Sequence, residues 1–411
     1  FEYGRYDTKI AKANISHKNE NFDAKLGVVR VDTDGFSAKS PKSSEAKNYE
    51  DDGYENTTAN LKLGYNFDEN NRVSTSYEII DTKVDYDISP NSNDKAKTKT
   101  HLANVNYENK NDIAITNVYA NYTDITREYS YGNFDGSVKE YGVKSTVPYL
   151  SETSFITIGT DYKEFEHKND LDKRYDNKAI YITNTNKFFD DKTIFTQALR
   201  YDKYSDFDNK TTGKIGLKQY IVDELNISSN YGTGYNVPTI YQLNDITYGN
   251  RDLNPEKTKS YDLGIEYKGF SITYFNTKIE NMITSNSITY AYEQIKGTSK
   301  IKGTEIAYKN EVVEDTFLNL SYTNLSAKND KDEYLARRAK NKFNFGVDYY
   351  GLKDFHFNIN GEYIGTRYER DDKKGAKTGN YTVWNAVVDY DISKNFSTYL
   401  KLDNIFNKDY Q

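Results

Sequence analysis

Hydrophobic and polar residues alternate with a period of two along almost the whole chain. In "LKLGYNF", Leu61, Leu63 and Tyr65 share one face, whereas Lys62 and Asn66 lie on the other. This period is typical of β-strands, in which successive side chains point to opposite faces. Roughly twenty such segments of about 10–14 residues follow one another, whereas soluble sheets usually have strands of about five or six residues. A strand that crosses a bilayer at a tilt needs about 9–11 residues, so the segment length favours transmembrane strands.

The connections between these segments alternate between short and long. Short ones include "HKNEN", "FDENN", "ENKND", "FDDKT" and "SKNF". The long polar ones are Thr33–Asn56, Val84–Thr98, Asp124–Gly136, Thr233–Glu256, Lys328–Arg337 and Arg367–Thr378. Short turns at one end and long loops at the other are typical of outer-membrane barrels. We therefore predict an all-β fold, a transmembrane antiparallel β-barrel. A soluble β-solenoid should show a fixed short repeat, and a chain of β-sandwiches should show shorter strands.

Composition supports strands and argues against several other classes. Hydrophobic residues make up only 36% of the chain, yet aromatics reach 15%, with 40 Tyr and 20 Phe. A disordered chain is polar but poor in aromatics, so this chain is not simply disordered. The net charge of −7 argues against a nucleic-acid partner. The chain has no cysteine, which excludes disulfides and thiolate metal sites.

Catalytic motifs are missing from the sequence, and we predict that the protein is not an enzyme and has no catalytic residues. The four histidines are far apart, and none belongs to an HExxH motif. No GxSxG nucleophile elbow occurs. A barrel protease or lipase would need a Ser/Asp/His set, and His101 and His167 have no convincing partners in the sequence.

Six strings in the second half of the chain carry a family resemblance. They are "YGTGYNVPTIYQL", "YGNRDLNPEKTKSYDLGIEY", "SKIKGTEIAY", "LARRAKNKFNFGVDY", "YIGTRY" and "LDNIFNKDY". In this order and near this spacing, they resemble the barrel of TonB-dependent outer-membrane receptors. The resemblance is closest to the cobalamin-receptor branch, which includes relatives for siderophores and haem.

The resemblance implies a fold and a location. Family barrels have about twenty-two antiparallel strands around a separate N-terminal plug, in the outer membrane of Gram-negative bacteria. The start "FEYG" resembles the end of the first barrel strand, and "DNIFNKDYQ" stops before the expected last strand. We expect residues 1–411 to form one cropped barrel domain of about 20 strands, without the plug, the first strand and the last strand.

The resemblance also implies energy-coupled import of a large, scarce ligand. TonB and its inner-membrane complex are the expected partner, acting through the missing plug. The expected ligand is cobalamin or another corrinoid, with a ferric siderophore or haem as alternatives within the fold. Haem receptors usually use histidines in an apical loop, and the connection Thr233–Glu256 has none. A passive porin or an adhesin barrel is the alternative from another class, and outer-membrane lipid is a partner in every case.

Two acidic segments resemble the calcium-binding loops of the cobalamin branch. The predicted ligands are Asp51, Asp52, Asp87 and Asp94. Calcium takes six to eight oxygen ligands, which two adjacent acidic loops can supply. One position that is acidic in that branch is Ser37 here, and a solvated acidic loop interleaved with lysines fits the same pattern. No cofactor for catalysis is expected.

The remaining site predictions come mainly from the connection Thr233–Glu256, which contains Pro238 and Pro255 and which we call the proline-framed connection. The predicted ligand-contact residues are Tyr86, Tyr241, Asn244, Tyr248, Asn250 and Arg251, because loop tyrosines can stack on a ligand. Packing within the loops, or a place in the aromatic girdles of a barrel, explains the same tyrosines. A structural or lumen-facing role is predicted for Pro238, Pro255, Glu256, Arg337 and Arg338.

Overall fold

The computed structural model describes residues 1–37, 50–88, 94–130, 132–150, 153–169, 171–286 and 288–410. In these ranges the chain forms strands and a single short helix. The first thirteen strands are β1 Glu2–Gly4, β2 Thr8–Lys18, β3 Phe22–Thr33, β4 Tyr54–Asn66, β5 Asn71–Tyr86, β6 Asp94–Lys110, β7 Ile115–Tyr129, β8 Gly132–Tyr149, β9 Ser154–His167, β10 Lys173–Phe188, β11 Thr193–Tyr204, β12 Lys210–Val222 and β13 Leu225–Asn236.

The helix and the remaining strands follow in chain order. They are α1 Ile240–Asn244, β14 Glu256–Tyr267, β15 Phe270–Glu280, β16 Ile283–Ser285, β17 Tyr292–Gln294, β18 Thr298–Val313, β19 Thr316–Lys328, β20 Asn341–Tyr349, β21 Phe355–Ile364, β22 Arg367–Arg370, β23 Lys374–Thr378, β24 Tyr381–Ser393 and β25 Phe396–Leu402. Among the described residues, no helix has the length and apolarity that a membrane crossing requires.

The chain divides into two compact units. The first comprises Phe1–Thr185, Ala198–Thr211 and Thr239–Arg251, and the second comprises Asn186–Gln197, Thr212–Pro238 and Asp252–Gln411. In the first unit, each strand from β1 to β10 pairs antiparallel with the next. In the second, β12 to β15 pair in sequence, and β18 to β21 continue the same pattern. A 21-stranded sheet results, which confirms the predicted all-β antiparallel fold.

The sheet of the second unit has one apolar face that is open to its surroundings. A row of directly paired residues crosses five strands, and each side chain is 36–43% exposed: Ile227, Ile265, Ile272, Ile306 and Tyr322. The neighbouring row on the opposite face is mostly polar: Ser228, Gly264, Thr273, Glu305 and Thr323. We call these two sides the apolar face and the polar face. Exposed apolar surface of this extent is unfavourable in water, so the apolar face fits contact with lipid.

The sheet of the first unit also has an exposed apolar face. Leu26, Leu61 and Tyr77 are paired across three strands and are 39–47% exposed. Leu61 and Tyr65 are both exposed on this face, as the alternation in "LKLGYNF" predicts. The period of two in the sequence therefore reports the two faces of the sheet correctly.

Two details of the predicted connections are wrong. Asp124–Gly136 is not a loop, because β7 runs to Tyr129 and β8 begins at Gly132, with Ile125 opposite Gly136. Most long strands have the predicted length of about 10–14 residues, but six have 15–18 residues, namely β5, β6, β7, β8, β10 and β18. Beyond the bilayer neither face of a strand contacts lipid, so its sequence needs no apolar alternation there and resembles that of a loop.

Two small β-hairpins lie within connections between the long strands. β22 and β23 pair within the predicted loop Arg367–Thr378. β16 and β17 pair between β15 and β18, a connection that the sequence did not identify as long.

Candidate functional site

The proline-framed connection contains helix α1, which the sequence had predicted as loop. Thr239 caps its start: the Thr239 hydroxyl accepts from the Gln242 N–H (3.1 Å), and the Gln242 side chain accepts from the Thr239 N–H (2.9 Å). This reciprocal pair is a capping box, which satisfies two backbone donors at once. The helix ends where the Asp245 N–H donates to the Tyr241 carbonyl (3.0 Å). The pattern Thr-x-x-Gln was therefore the signal that sequence reasoning missed.

Helix α1 packs against the end of β9 through two rings. The Tyr241 and His167 rings are nearly parallel, at 20°, with centroids 6.3 Å apart. His167 is only 7% exposed and meets Phe134 edge-on, with centroids 4.6 Å apart. His167 Nδ1 lies 2.7 Å from the Lys168 carbonyl, which can only accept, so Nδ1 donates. Contacts outside α1 thus fix the orientation of the imidazole.

Lys168, the residue directly after β9, forms an ion pair beside His167. Its ammonium donates to Asp124 at 2.8 Å, and this hydrogen bond raises the pKa of Lys168 above its ordinary value. Because the carbonyl of Lys168 accepts from His167, the ion pair and the imidazole stabilise one another.

A cleft of about 240 Å³ opens beside α1 in the first unit. It is lined by Lys173, Arg174, Tyr175, Asp206, Phe207, Ile240, Leu243, Asn244 and Arg251. Tyr175 is buried between Phe165, stacked at 4.8 Å, and Phe207, edge-on at 5.4 Å. One wall of the cleft therefore consists of aromatic rings packed on one another.

The charges in this cleft are unbalanced. Three cations, Lys173, Arg174 and Arg251, face a single carboxylate, Asp206. An excess of like charge in a cleft attracts ligands of opposite sign. Aromatic rings together with arginine and lysine suit a ligand that is both anionic and aromatic.

The predicted ligand-contact residues divide into three groups. Asn244 and Arg251 line the cleft, as a ligand role requires. Tyr241 packs on His167. Tyr248 and Asn250 follow the helix in the same connection, and their backbone N–H groups hydrogen-bond back to it. The Tyr248 N–H donates to Asp245 (2.7 Å), and the Asn250 N–H donates to the Gln242 carbonyl (2.7 Å).

Tyr86 does not line this cleft. Its hydroxyl lies 3.3 Å from the Ser130 hydroxyl, and its ring meets the edge of Tyr129 at 6.3 Å. The structure therefore places Tyr86 with the β7–β8 turn.

The structural residues of the proline-framed connection tie strands together. Pro238 is fully buried directly before the helix cap, and the Pro255 carbonyl accepts from Asn281 (3.3 Å). The Glu256 carboxylate accepts from the Asn236 side chain (2.8 Å) and from the Ile283 N–H (2.7 Å). Glu256 thereby links β13, β14 and β16.

The two arginines of "LARRAK" have different surroundings. Arg337 pairs with Glu369 at 3.0 Å, and its N–H donates to the Tyr368 carbonyl at 2.8 Å. Arg337 therefore fastens the β19–β20 connection to the β22–β23 hairpin. Arg338 is exposed.

The predicted calcium ligands lie in neighbouring segments. The Ser37 hydroxyl donates to Asp87 (3.4 Å), which joins the two acidic connections, and Asp94 accepts from Ser130 (2.8 Å). Asp51 and Asp52 precede β4. Over the described ranges, no group of three or more His, Asp or Glu side chains is close enough to hold a metal ion. The calcium site stays a prediction from the sequence.

The polar face of the first unit carries a charged network that the sequence analysis missed. Arg200 binds both carboxylate oxygens of buried Asp161, at 2.7 and 2.9 Å, and its Nε donates to Asp202 at 2.9 Å. Asn177 donates to Asp202 at 3.2 Å. Arg200 and Asp202 are two residues apart on one strand, so the period of two could have placed them on one face.

Together, the antiparallel sheet of long strands and its exposed apolar face define an outer-membrane barrel protein. Residues 3–405 match the family described as TonB dependent receptor-like, beta-barrel, and the chain belongs to this family. These barrels are outer-membrane proteins of Gram-negative bacteria, and the family is one of receptors and transporters rather than an enzyme class.

Solved receptors share the fold at low sequence identity. The siderophore receptor PirA of Pseudomonas aeruginosa is 16% identical, with a TM-score of 0.77, over 98% of this chain and 75% of that one. A variant of the ferric enterobactin receptor of the same species is 14% identical, with a TM-score of 0.84, over 99% and 74%. The copper transporter OprC is also 14% identical, with a TM-score of 0.82, over 100% and 74%. At these identities the similarity shows the fold alone.

Proposed function

We propose that this chain is the barrel of a TonB-dependent receptor that captures an anionic, aromatic iron chelate of the siderophore type. The observation that carries the proposal is the cleft beside α1, with three cations, one carboxylate and two packed aromatic rings. Ferric catecholates are polyanions built from aromatic rings, so they complement both features. Arginine and lysine hydrogen bonds to anionic oxygens are the stronger, charge-assisted kind.

The iron chelate is better supported than cobalamin, the ligand that the resemblance to the cobalamin branch favoured. Receptors with this fold are described as siderophore, ferric enterobactin and ferric-catecholate receptors. A corrinoid does not need the surplus of positive charge in the cleft, whereas a polyanion does.

Two further parts of the proposal come from the family and from the sequence. Import draws on TonB and its inner-membrane complex, acting through a plug that this barrel surrounds. Calcium orders the acidic connections that contain Asp51, Asp52, Asp87 and Asp94, next to the Ser37–Asp87 hydrogen bond.

Ligand binding to the purified receptor tests the proposal. A ferric tris-catecholate, haem and cobalamin are titrated by calorimetry against the wild type and Arg251→Ala. Loss of a charge-assisted hydrogen bond costs about 1.5–3 kcal/mol, so Arg251→Ala should weaken chelate binding by about 10- to 150-fold. Lys203→Ala is the matched control, because Lys203 follows Tyr201 by two residues on the apolar face and should leave affinity unchanged.

The outcomes separate the alternatives. Binding of cobalamin without binding of the chelate would reject the iron-chelate proposal and keep the receptor class. Chelate binding that Arg251→Ala leaves unchanged would move the site away from this cleft.

A further inference from the structure

We infer that His167 is a positioning residue for the cleft, because it holds helix α1 in the place from which Asn244 and Arg251 reach the ligand. His167 itself is not among the residues that line the cleft. Its effect passes through the stacked ring of Tyr241. The ligand part of this inference rests on the proposed function, whereas the effect on the helix does not.

The helix needs an external support. It has five residues, far fewer than the 12–15 that an isolated helix requires even for marginal stability. The capping box at Thr239 satisfies its first donors, but it does not determine where the helix lies. The packing of Tyr241 on His167 at the end of β9 contributes to that position.

His167 is suited to this task because its ring cannot turn freely. The Phe134 ring packs perpendicular to the imidazole, and Nδ1 donates to the carbonyl of Lys168 at 2.7 Å. A buried ring with a fixed orientation offers Tyr241 one packing geometry. The centroid distance of 6.3 Å lies within the range for favourable aromatic pairs.

A displacement of α1 also moves residues that line the cleft. Ile240 and Leu243 line the cleft on the same short helix that carries Tyr241. Asn250 is tied back to the helix by its N–H, which donates to the Gln242 carbonyl at 2.7 Å. Arg251 follows directly, so displacement of α1 moves the cleft's arginine as well.

Hydrogen exchange of the receptor without ligand tests the effect on the helix. The reporters are the amides of Leu243 and Asp245, which donate to the carbonyls of Thr239 (3.2 Å) and Tyr241 (3.0 Å). An aromatic pair of this kind corresponds to about a 2- to 10-fold change in an equilibrium constant. His167→Ala should therefore speed exchange at both amides by about that factor.

Three further variants complete the hydrogen-exchange test of His167→Ala. His167→Phe keeps a planar ring and should restore most of the protection, and Tyr241→Ala should reproduce the effect from the helix side. His101→Ala, at a histidine that contacts Tyr77 on β5, should change neither amide. Unchanged exchange in both His167→Ala and Tyr241→Ala would overturn the inference.

Chelate affinity then connects the helix to the site. His167→Ala should weaken ferric tris-catecholate binding by about 2- to 10-fold. The double variant with Tyr241→Ala should be no weaker than either single variant, because both remove the same contact. Faster exchange without loss of affinity would overturn the positioning role. If the wild type binds no chelate, the proposed function fails, and the exchange result still decides whether His167 holds the helix.

Discussion

Replacing Ile306 by arginine tests whether the apolar face contacts lipid. Ile306 lies in the exposed row between Ile272 and Tyr322 and is itself 37% exposed. In a soluble protein, a charge at such an exposed position would cost little. In a bilayer the same change places a guanidinium against hydrocarbon.

The position of Ile306 along β18 gives the magnitude. It is seven residues from Val313, the end of β18 at a short turn. At about 3.3 Å per residue and a tilt of about 45°, this is roughly 16 Å along the membrane normal. The midplane of an apolar band about 25 Å tall lies roughly 12 Å from its edge, so Ile306 is close to it. Ile306→Arg should therefore lower the free energy of unfolding by about 2–4 kcal/mol.

The matched control is the adjacent residue on the polar face. Ala307 lies between Ser271 and Ser321, two small side chains, and Ala307→Arg should cost less than about 1 kcal/mol. Urea unfolding in phospholipid vesicles, followed through the fluorescence of Trp384 in β24, measures both variants. Equal destabilisation by the two arginines, or a larger effect at Ala307, would refute the assignment of the faces.

Three further predictions concern the polar face, the helix and calcium. Arg200→Ala should destabilise the barrel by about 3 kcal/mol in the same unfolding assay, because buried Asp161 loses its partner, and adding Asp161→Asn should recover part of the loss. Thr239→Ala removes the helix cap and should cost about 1 kcal/mol of local stability, read as faster hydrogen exchange in α1; unchanged exchange would contradict the role of the cap. Calcium should release heat on titration into the intact receptor and bind more weakly to Asp87→Asn, and a flat titration would remove the calcium prediction.

The strands were predictable because the membrane imposes their pattern. At Leu61 and Leu63 one face needs apolar side chains and the other tolerates polar ones, so alternation marks the strand. The same logic failed at Asp124–Gly136, where β7 and β8 stay paired but their sequence does not alternate between apolar and polar residues. Strand length beyond the bilayer is therefore the part of the fold that the pattern cannot report.

The candidate site was predictable only in part. Asn244 and Arg251 were singled out from the connection in which they lie, and they do line the cleft. Their partners in the cleft include Tyr175 on β10 and Phe207 between β11 and β12, and the sequence alone does not show which strands and loops meet. Helix α1 was missed because five residues show no helical periodicity, and His167 was missed because its contact with Tyr241 is tertiary.

Calorimetric titration of the purified receptor with a ferric tris-catecholate and with cobalamin tests the central claim most directly. The account predicts that the chelate binds, that Arg251→Ala weakens this binding about tenfold or more, and that cobalamin gives no heat of binding. Tight binding of cobalamin together with no binding of the chelate would contradict it.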